Sequence, residues 1–484
     1  CWGMQSYALL GNGVSSSADQ PIPQTVLSGE DGEALSGIVE ICGAQYHTCA
    51  LLEDETVRCW GHNGSEVLGK PDQGPEVYPV EVLNLAGDGP LTGVVALDCG
   101  SVHTCAVLDD GTVYCWGQPT SGHLGGGSEE AKRQFVATDA FGSKLEEIKD
   151  VTAGTDHSCA LAEGGKVWCW GTNNTWGQLG ANSMVAVGVA QAVEGLPESV
   201  TRVEVGGTFT CALVSGGAVV CWGHNHEGQL GQGVVGAAIT PLPTKVEGLT
   251  GVDEVATDRH QTCANTSSQV FCWGQGVLGG LGYGEFTSVP APGPPVVDEW
   301  EQAVALSPLF VGDHVGAGLN ADGHLMTWGN GQYKSLGSAD TANRPWAGPA
   351  LAPSNEPLEG LVDAAVGMGD GTGHVCAVTQ DSQVLCWGAR GYGQTGGPEP
   401  PEATTFIFSS ESSVILTDAE EVLDGVTGLA LGQWTSCAVA GEAGEVWCWG
   451  FNDNGLLGRG LSEQELLATA RAGRVITEGD GDAP

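Results

Sequence analysis

Three observations predict an all-β chain folded as a propeller. A hairpin pattern recurs along the whole chain, its copies keep a near-constant spacing, and glycine and tryptophan are both frequent and regularly placed. The pattern is clearest at His47-Thr48-Cys49-Ala50-Leu51-Leu52, a polar turn, then Val57-Arg58-Cys59-Trp60-Gly61. Copies follow at residues 105–117, 159–171, 211–223, 263–274, 376–388 and 437–450, with an eighth, lacking cysteine, at 316–329. Each is two short apolar runs around a turn such as Asp109-Asp110-Gly111, the signature of a β-hairpin. The tightest spacing separates Trp222 from Trp273 by 51 residues, and the widest separates Trp387 from Trp449 by 62. A period of about 50 suits one four-stranded sheet, at ~5–6 residues per strand plus turns. The expectation is a β-propeller of four-stranded blades, seven or eight in number, from eight complete repeat hairpins plus a partial repeat.

The cysteines follow the hairpins. In each copy the two lie at matching distances from the turn and so face each other across the strands. The eighth copy reads Gly316 and Thr327 at these places, so both are missing together, as the halves of a disulfide would be. The expected links are Cys49 with Cys59, Cys105 with Cys115, Cys159 with Cys169, Cys211 with Cys221, Cys263 with Cys272, Cys376 with Cys386, and Cys437 with Cys448. Cys42 and Cys99 are left over, one place before Gly43 and Gly100 in consecutive repeats. Two readings stay open: a disulfide across neighbouring blades, or two small buried thiols.

Taken in order, residues 1–36 end a truncated repeat. Repeats then cover 37–92, 93–147, 148–199, 200–250, 251–302, 303–360 (no disulfide), 361–425 and 426–484, the last followed by a cut end. Cys1-Trp2-Gly3 matches Cys448-Trp449-Gly450, so the chain reads as a piece of a longer array. A lipidated Cys1 is the lesser alternative. After many of the tryptophans comes an element such as Gly177-Gln178-Leu179-Gly180, then a variable loop and two further apolar runs. Helical periodicity is missing, apart from a short candidate at residues 462–472.

Composition narrows function. Sixteen Lys and Arg against 59 Asp and Glu give a net charge of -43. That balance argues against nucleic acid as a partner, which needs clustered basic residues, and against docking on anionic lipid. No run reaches the ~20 apolar residues of a membrane span, so membrane insertion is not expected. Regular cysteine pairs point to an oxidising, extracytoplasmic location: secreted, periplasmic or cell-surface.

Repeats reading His-Thr-Cys-Ala-Leu, Asp-Gly-x-Val, Cys-Trp-Gly and Gly-Gln-Leu-Gly resemble the regulator of chromosome condensation family, and in the exported bacterial style. The resemblance implies a propeller, usually of seven blades, closed by joining both chain ends in one blade. The nuclear founding member exchanges nucleotide on the GTPase Ran and docks on chromatin. Exported bacterial relatives, β-lactamase inhibitors among them, bind proteins. This chain lacks a basic tail, and no stretch of it matches the exchange-factor residues, so none are carried over. Eight hairpins also depart from the seven-blade rule: either the ring takes eight, or the array overruns one ring.

Histidines stand two residues before the first cysteine or its replacement at His47, His103, His157, His314 and His374; Phe209, Gln261 and Thr435 replace them elsewhere. Ligands to one metal converge to ~2.0–2.1 Å, which equivalent positions on separate blades do not favour. A structural role, hydrogen-bonding backbone at a strand start, is preferred. The tryptophans of Cys-Trp-Gly read as blade-to-blade packing, and the following glycine as a site of close approach or positive φ. Asn63-Gly64-Ser65, Asn173-Asn174-Thr175 and Asn265-Thr266-Ser267 match the glycosylation pattern. Glu53-Asp54-Glu55 and Asp453-Asn454 offer acid for calcium, without the spacing of an established loop. No catalytic, cofactor or metal site stands out, so the chain reads as a non-enzyme without cofactors. The expected function is a disulfide-stapled scaffold for protein binding or surface adhesion. Its variable loops at residues 126–150, 283–307 and 397–421 would engage a protein partner. The alternatives are a guanine-nucleotide exchange factor or other GTPase regulator, and a polysaccharide lyase or hydrolase built on a propeller.

Overall fold

In a computed structural model, residues 35–450 are described, apart from 44–46, 62, 64–65, 71–75, 119–121, 128–133, 172–173, 186, 198, 237–238, 313, 333–334, 339–340, 352–355, 368–373, 390–407, 416–421, 432–434 and 441–444. These residues form eight antiparallel sheets in chain order. Blade 1 holds β1 (Ile38–Gly43), β2 (His47–Leu52), β3 (Val57–Gly61) and β4 (Glu76–Glu81). Blade 2 holds β5 (Val94–Cys99), β6 (His103–Leu108), β7 (Val113–Gly117) and β8 (Gln134–Val136). Blade 3 holds β9 (Ile148–Ala153), β10 (His157–Ala162), β11 (Val167–Gly171) and β12 (Val187–Ala192). Blade 4 holds β13 (Val200–Val205), β14 (Phe209–Val214), β15 (Ala218–Gly223) and β16 (Thr240–Lys245). Blade 5 has three strands, β17 (Val252–Thr257), β18 (Gln261–Thr266) and β19 (Val270–Gly274). Blade 6 holds β20 (Leu309–Gly312), β21 (Val315–Leu319), β22 (Leu325–Gly329) and β23 (Arg344–Pro349). Blade 7 holds β24 (Leu361–Gly367), β25 (His374–Thr379), β26 (Val384–Ala389) and β27 (Phe408–Val414). Blade 8 holds β28 (Val426–Leu431), β29 (Thr435–Ala440) and β30 (Glu445–Gly450).

The first strand of each blade touches the first strand of the next, from β1 to β5 and onward to β28, and β28 returns to β1. The ring therefore closes on eight blades, not seven. The core is divided accordingly. Six apolar clusters each straddle one blade boundary, and a seventh spans blades 7, 8 and 1, with Trp60 of blade 1 in the same cluster as Ala438 and Trp447 of blade 8. Two blades depart from the expected four strands. In blade 5, Pro290, Pro292, Pro294 and Pro295 occupy the outer segment, and proline cannot donate to a ladder. A single bridge, Gly274 to Val289, remains there. Residues beyond β30 in blade 8 lie outside the described residues.

The tryptophan of the Trp-Gly pair in the third strand sets blades 1 to 7 against their neighbours. Trp60, Trp116, Trp170, Trp222, Trp273, Trp328 and Trp387 are almost wholly buried. Each of the five from Trp170 onward donates its indole N–H to a carbonyl in the loop of the preceding blade. The acceptors are His123, Gln178, Gln229, Gly280 and Ser335, at 2.7–3.0 Å. In these five the apolar body fills the interface and the polar edge is satisfied. The glycine that follows takes φ of 152° at Gly171. A Cβ there would lie 2.4 Å from the Asp156 carbonyl oxygen, so only glycine fits.

Candidate functional site

Antiparallel alternation gives the ring two rims. Turns between first and second strands and loops between third and fourth strands lie on one, here called the loop face. Hairpin turns and blade-to-blade connections lie on the other, the turn face.

On the loop face an asparagine opens several of the third-to-fourth-strand loops. Asn63, Asn174 and Asn225 are buried, and each side-chain oxygen accepts the N–H of the loop leucine, Leu68, Leu179 or Leu230, at 3.0–3.1 Å. Asn174 Nδ2 also donates to the carbonyls of Ser183 and Val185, and Asn225 Nδ2 to that of Val234. The loops are then hooked to the next blade, with Gly233 N–H on the Pro290 carbonyl at 2.7 Å and Gly284 N–H on that of Pro345 at 2.6 Å. These fixed loops carry apolar side chains outward. Val185 is 66% exposed, Val235 58%, Val234 50% and Phe286 49%, and Met184, Val277 and Trp346 are exposed too. The run spans blades 3 to 6. Inside it lies an imidazole cluster: Trp176 is 4.2 Å from the ring of His224, which stacks on His226 at 6.0 Å. Gln229 Nε2 donates to His224 Nδ1 at 3.3 Å. Burial, then repulsion from His226 and His260, holds His224 below the usual imidazole range.

The turn face is acidic. Glu53, Asp54, Glu55, Asp109, Asp110, Glu146 and Glu147 all lie there. Asp54 Oδ1 accepts both the N–H and the hydroxyl of Thr56, at 3.1 and 2.6 Å, which pulls its pKa down. Its carboxylate therefore builds a turn. Asp453 and Asn454 lie outside the described residues. Two of the loops expected to bind put aromatics on this rim. Asp139 Oδ1 caps the turn bearing Phe141, 93% exposed, and Asp298 Oδ1 the turn bearing Trp300, 71% exposed. Of residues 397–421, only 408–415 and no more are described.

Six hairpin disulfides join Cys49 to Cys59, Cys105 to Cys115, Cys159 to Cys169, Cys211 to Cys221, Cys263 to Cys272 and Cys376 to Cys386. Their Cα atoms lie 4.1–4.2 Å apart, in directly opposed register. Cys437 and Cys448 are opposed in the same way, with their side chains outside the described residues. A further bond joins Cys42 to Cys99 across blades 1 and 2, with Cα atoms 5.5 Å apart. In blade 6 the register places Ala317, not Gly316, opposite Thr327. The alignment through His314 is therefore one residue out. Val315 holds the histidine position, and His314 sits in the preceding turn at φ 61°.

The other four of these histidines bond across a blade boundary, not only at their own strand start. Nε2 of His47, His103, His157 and His374 meets the hydroxyl of Thr104, Ser158, Thr210 and Ser436 on the next blade, at 2.6–2.8 Å. They form a relay of buried interblade bonds. Burial pushes the pKa of His157 down to about 3 and that of His103 well below the ordinary value. Around the ring axis, carboxylates play a similar part: Asp98 accepts the N–H of Ala153 in the next blade at 2.8 Å, and Glu254 that of Leu309 at 3.2 Å. Burial and mutual repulsion raise Glu40 to about 7, and burial raises Asp98 to about 6. Of the glycosylation matches, Asn63 and Asn265 are buried, and Asn173 lies outside the described residues.

A family model described as the RCC1-like domain matches residues 1–308. The chain belongs to the RCC1-like domain family. Within the family, it is 29% identical over 286 residues to the ultraviolet-B receptor UVR8 of Arabidopsis thaliana, covering 59% of this chain and 62% of the receptor. It is 31% identical over 267 residues to the human E3 ubiquitin-protein ligase HERC2, covering 53% of this chain and 5% of the ligase. It is 27% identical over 396 residues to the mouse secretion-regulating guanine nucleotide exchange factor, covering 76% of this chain and 79% of that protein. The chain thus spans less than two thirds of the receptor and a small part of the ligase. Human WBSCR16 shares the fold at a TM-score of 0.57 and 21% identity, covering 78% of this chain and 98% of that one. Yeast RCC1 (Prp20), solved bound to Kap60, does so at 0.54 and 21%, covering 75% and 86%.

Proposed function

We propose that this chain is a non-catalytic, disulfide-stapled propeller that binds a protein partner through its loop face, in an oxidising, extracytoplasmic compartment. One observation carries the reading: Met184, Val185, Val234, Val235 and Phe286 stand exposed on loops fixed by buried asparagines and interblade hooks. Exposed apolar side chains gathered on one face mark interaction surfaces, and prefixed loops lower the entropy lost on binding. Seven disulfides among the described residues favour the compartment.

A second reading places the contact on the divergent loops of the turn face. The exposure of Phe141 and Trp300 favours it. Quantitative affinity capture separates the two. On the first reading, Val185→Glu with Val235→Glu abolishes capture of proteins that wild type retains, and Phe141→Ser with Trp300→Ser spares it. The reverse pattern transfers the site to the turn face. Likeness to the exchange factor supports GTPase regulation only by family analogy. Acceleration of nucleotide release from a small GTPase by the purified chain would replace the scaffold reading.

A further inference from the structure

The boundary between blades 1 and 2 gathers more sulfur than any other among the described residues. Cys42, Cys49 and Cys59 lie side by side on β1, β2 and β3, each opposite the next in register. Cys99 reaches them from β5, bonded to Cys42. His47 opens β2 beside them. One ring nitrogen of His47, the Cys49 sulfur and the Cys99 sulfur lie within 4.8 Å of one another, and no other such trio of potential ligands occurs among the described residues. The hydroxyl of Thr104 sits among the three, 2.7 Å from His47 Nε2 and 3.8 Å from each sulfur. His47, Cys49 and Cys59 are buried, while Cys42 and Cys99 are only partly so.

We infer that reduction of the Cys42–Cys99 and Cys49–Cys59 disulfides converts this boundary into a site for one thiophilic divalent cation, zinc in class. Zinc binds thiolate at ~2.3 Å and imidazole at ~2.0–2.1 Å in a tetrahedron, which sets ligand atoms about 3.5–4 Å apart. Contraction of the trio by less than about 1 Å reaches that spacing. The fourth ligand is Cys42 or Cys59, each adjacent in register to Cys49. The chemistry balances with a dithiol reductant. Each disulfide takes two electrons and two protons from one dithiol, which closes to its own disulfide. Zinc then displaces three thiol protons as three thiolates and one neutral imidazole bind it. The remaining hairpins lack the extra pair: across from the first cysteine stand Asp98, Thr152, Glu204, Ala256 and Ala365 in blades 2 to 5 and 7. Oxidation and metal binding thus compete for the same sulfurs, so the site stays closed in the oxidising compartment proposed above and opens only on exposure to a dithiol reductant.

The test uses the full chain, with one equivalent of Zn²⁺ added before a dithiol reductant, followed by alkylation and peptide mapping. Cys49 and Cys99 should alkylate at least tenfold more slowly with Zn²⁺ than without it. Cys159, Cys169, Cys211 and Cys221 should be unaffected. Co²⁺ in place of Zn²⁺ should give a thiolate charge-transfer absorbance at one equivalent per chain, bleached by Zn²⁺. Cys99→Ser should lose that absorbance. His47→Phe copies the residue that blade 4 carries at this position, Phe209, and so preserves the packing. It should weaken Co²⁺ binding at least tenfold and lower the melting of the oxidised protein by no more than the loss of the one Thr104 bond. Equal alkylation of Cys49 and Cys99 with and without Zn²⁺ overturns the site, as does equal protection of every hairpin or full binding by His47→Phe.

Discussion

Blades 4 and 6 build the same hairpin with different cross-links. In blade 4, Cys211 and Cys221 join β14 to β15, and the Thr210 hydroxyl receives His157 from blade 3. In blade 6 alanine and threonine face each other, and Val315 and Gly316 take the histidine and hydroxyl positions. Gly316 is required there, because a Cβ would lie 2.1 Å from the Trp328 ring. A polar clamp appears one strand further out. Thr327 Oγ1 donates to the Leu336 carbonyl at 2.6 Å, and Arg344 Nη2 donates to the carbonyls of Thr327 and Gly348, both at 2.8 Å, and to Thr327 Oγ1. The contrast shows that the covalent link is separable from the fold. Trp222 and Trp328 are equally buried and keep the same loop contact in both blades.

The strongest way to break this comparison is to remove the staple from blade 4. Cys211→Ala with Cys221→Ala frees a loop of about 10 residues, worth roughly 2–3 kcal/mol in the chain-entropy picture. Amides of β14 and β15 should then exchange about as fast as those of β21 and β22. Unchanged protection in blade 4 would assign local stability to interblade packing alone.

Acid should act next. The folded pKa of His157 is about 3, below the ordinary ~6.5, so its contribution is complete above pH 6.5 and fades as pH falls toward 3. At about 1.4 kcal/mol per unit, roughly 2 kcal/mol is lost at the blade 3–4 boundary by pH 5. Glu40 and Asp98 are raised to about 7 and 6, so protonation between pH 7 and 4 relieves their burial and opposes the loss. Local hydrogen exchange resolves the two signs. With Val315 in place of histidine, blade 6 should show no such acid step against blade 7, and His157→Phe should remove the step from blade 3.

Arg344→Met tests the substitute clamp. Leaving the Thr327 and Gly348 carbonyls without this donor should cost about 1–2 kcal/mol, seen as faster exchange across β22 and β23. No change there would reduce the clamp to a bystander. The smallest effect is a gain: Ala317→Cys with Thr327→Cys installs the missing staple at the opposed pair but forfeits the Thr327 bonds, for a net gain of about 1 kcal/mol. Failure of the two cysteines to pair in oxidised protein would contradict the observed register.

The blade 6 offset shows where sequence reading stops. Gly-Asp-His-Val at residues 312–315 keeps the turn length of Gly-Ser-Val-His at 100–103, so backbone geometry aligns Val315 with His103. Matching side chains instead aligned His314, because a histidine carries more identity than a turn length. The loop-face run was hidden for the opposite reason. Val185 and Val234 follow the regular Gly-Gln-Leu-Gly element, while attention falls on irregular loops.

Hairpins, their polar turns, the repeat and the role of tryptophan were determined by the sequence itself. These features rest on contacts within about a dozen residues, and in the cysteine-bearing hairpins the opposed pair and the glycine turn leave one register. Ring closure at eight, the link from Cys42 to Cys99 and the histidine-to-hydroxyl relay were decided only by the tertiary structure. Each joins residues more than 50 apart or depends on the angle between successive sheets. No local pattern encodes that angle: it emerges from how the buried tryptophans and the apolar clusters pack at successive blade boundaries.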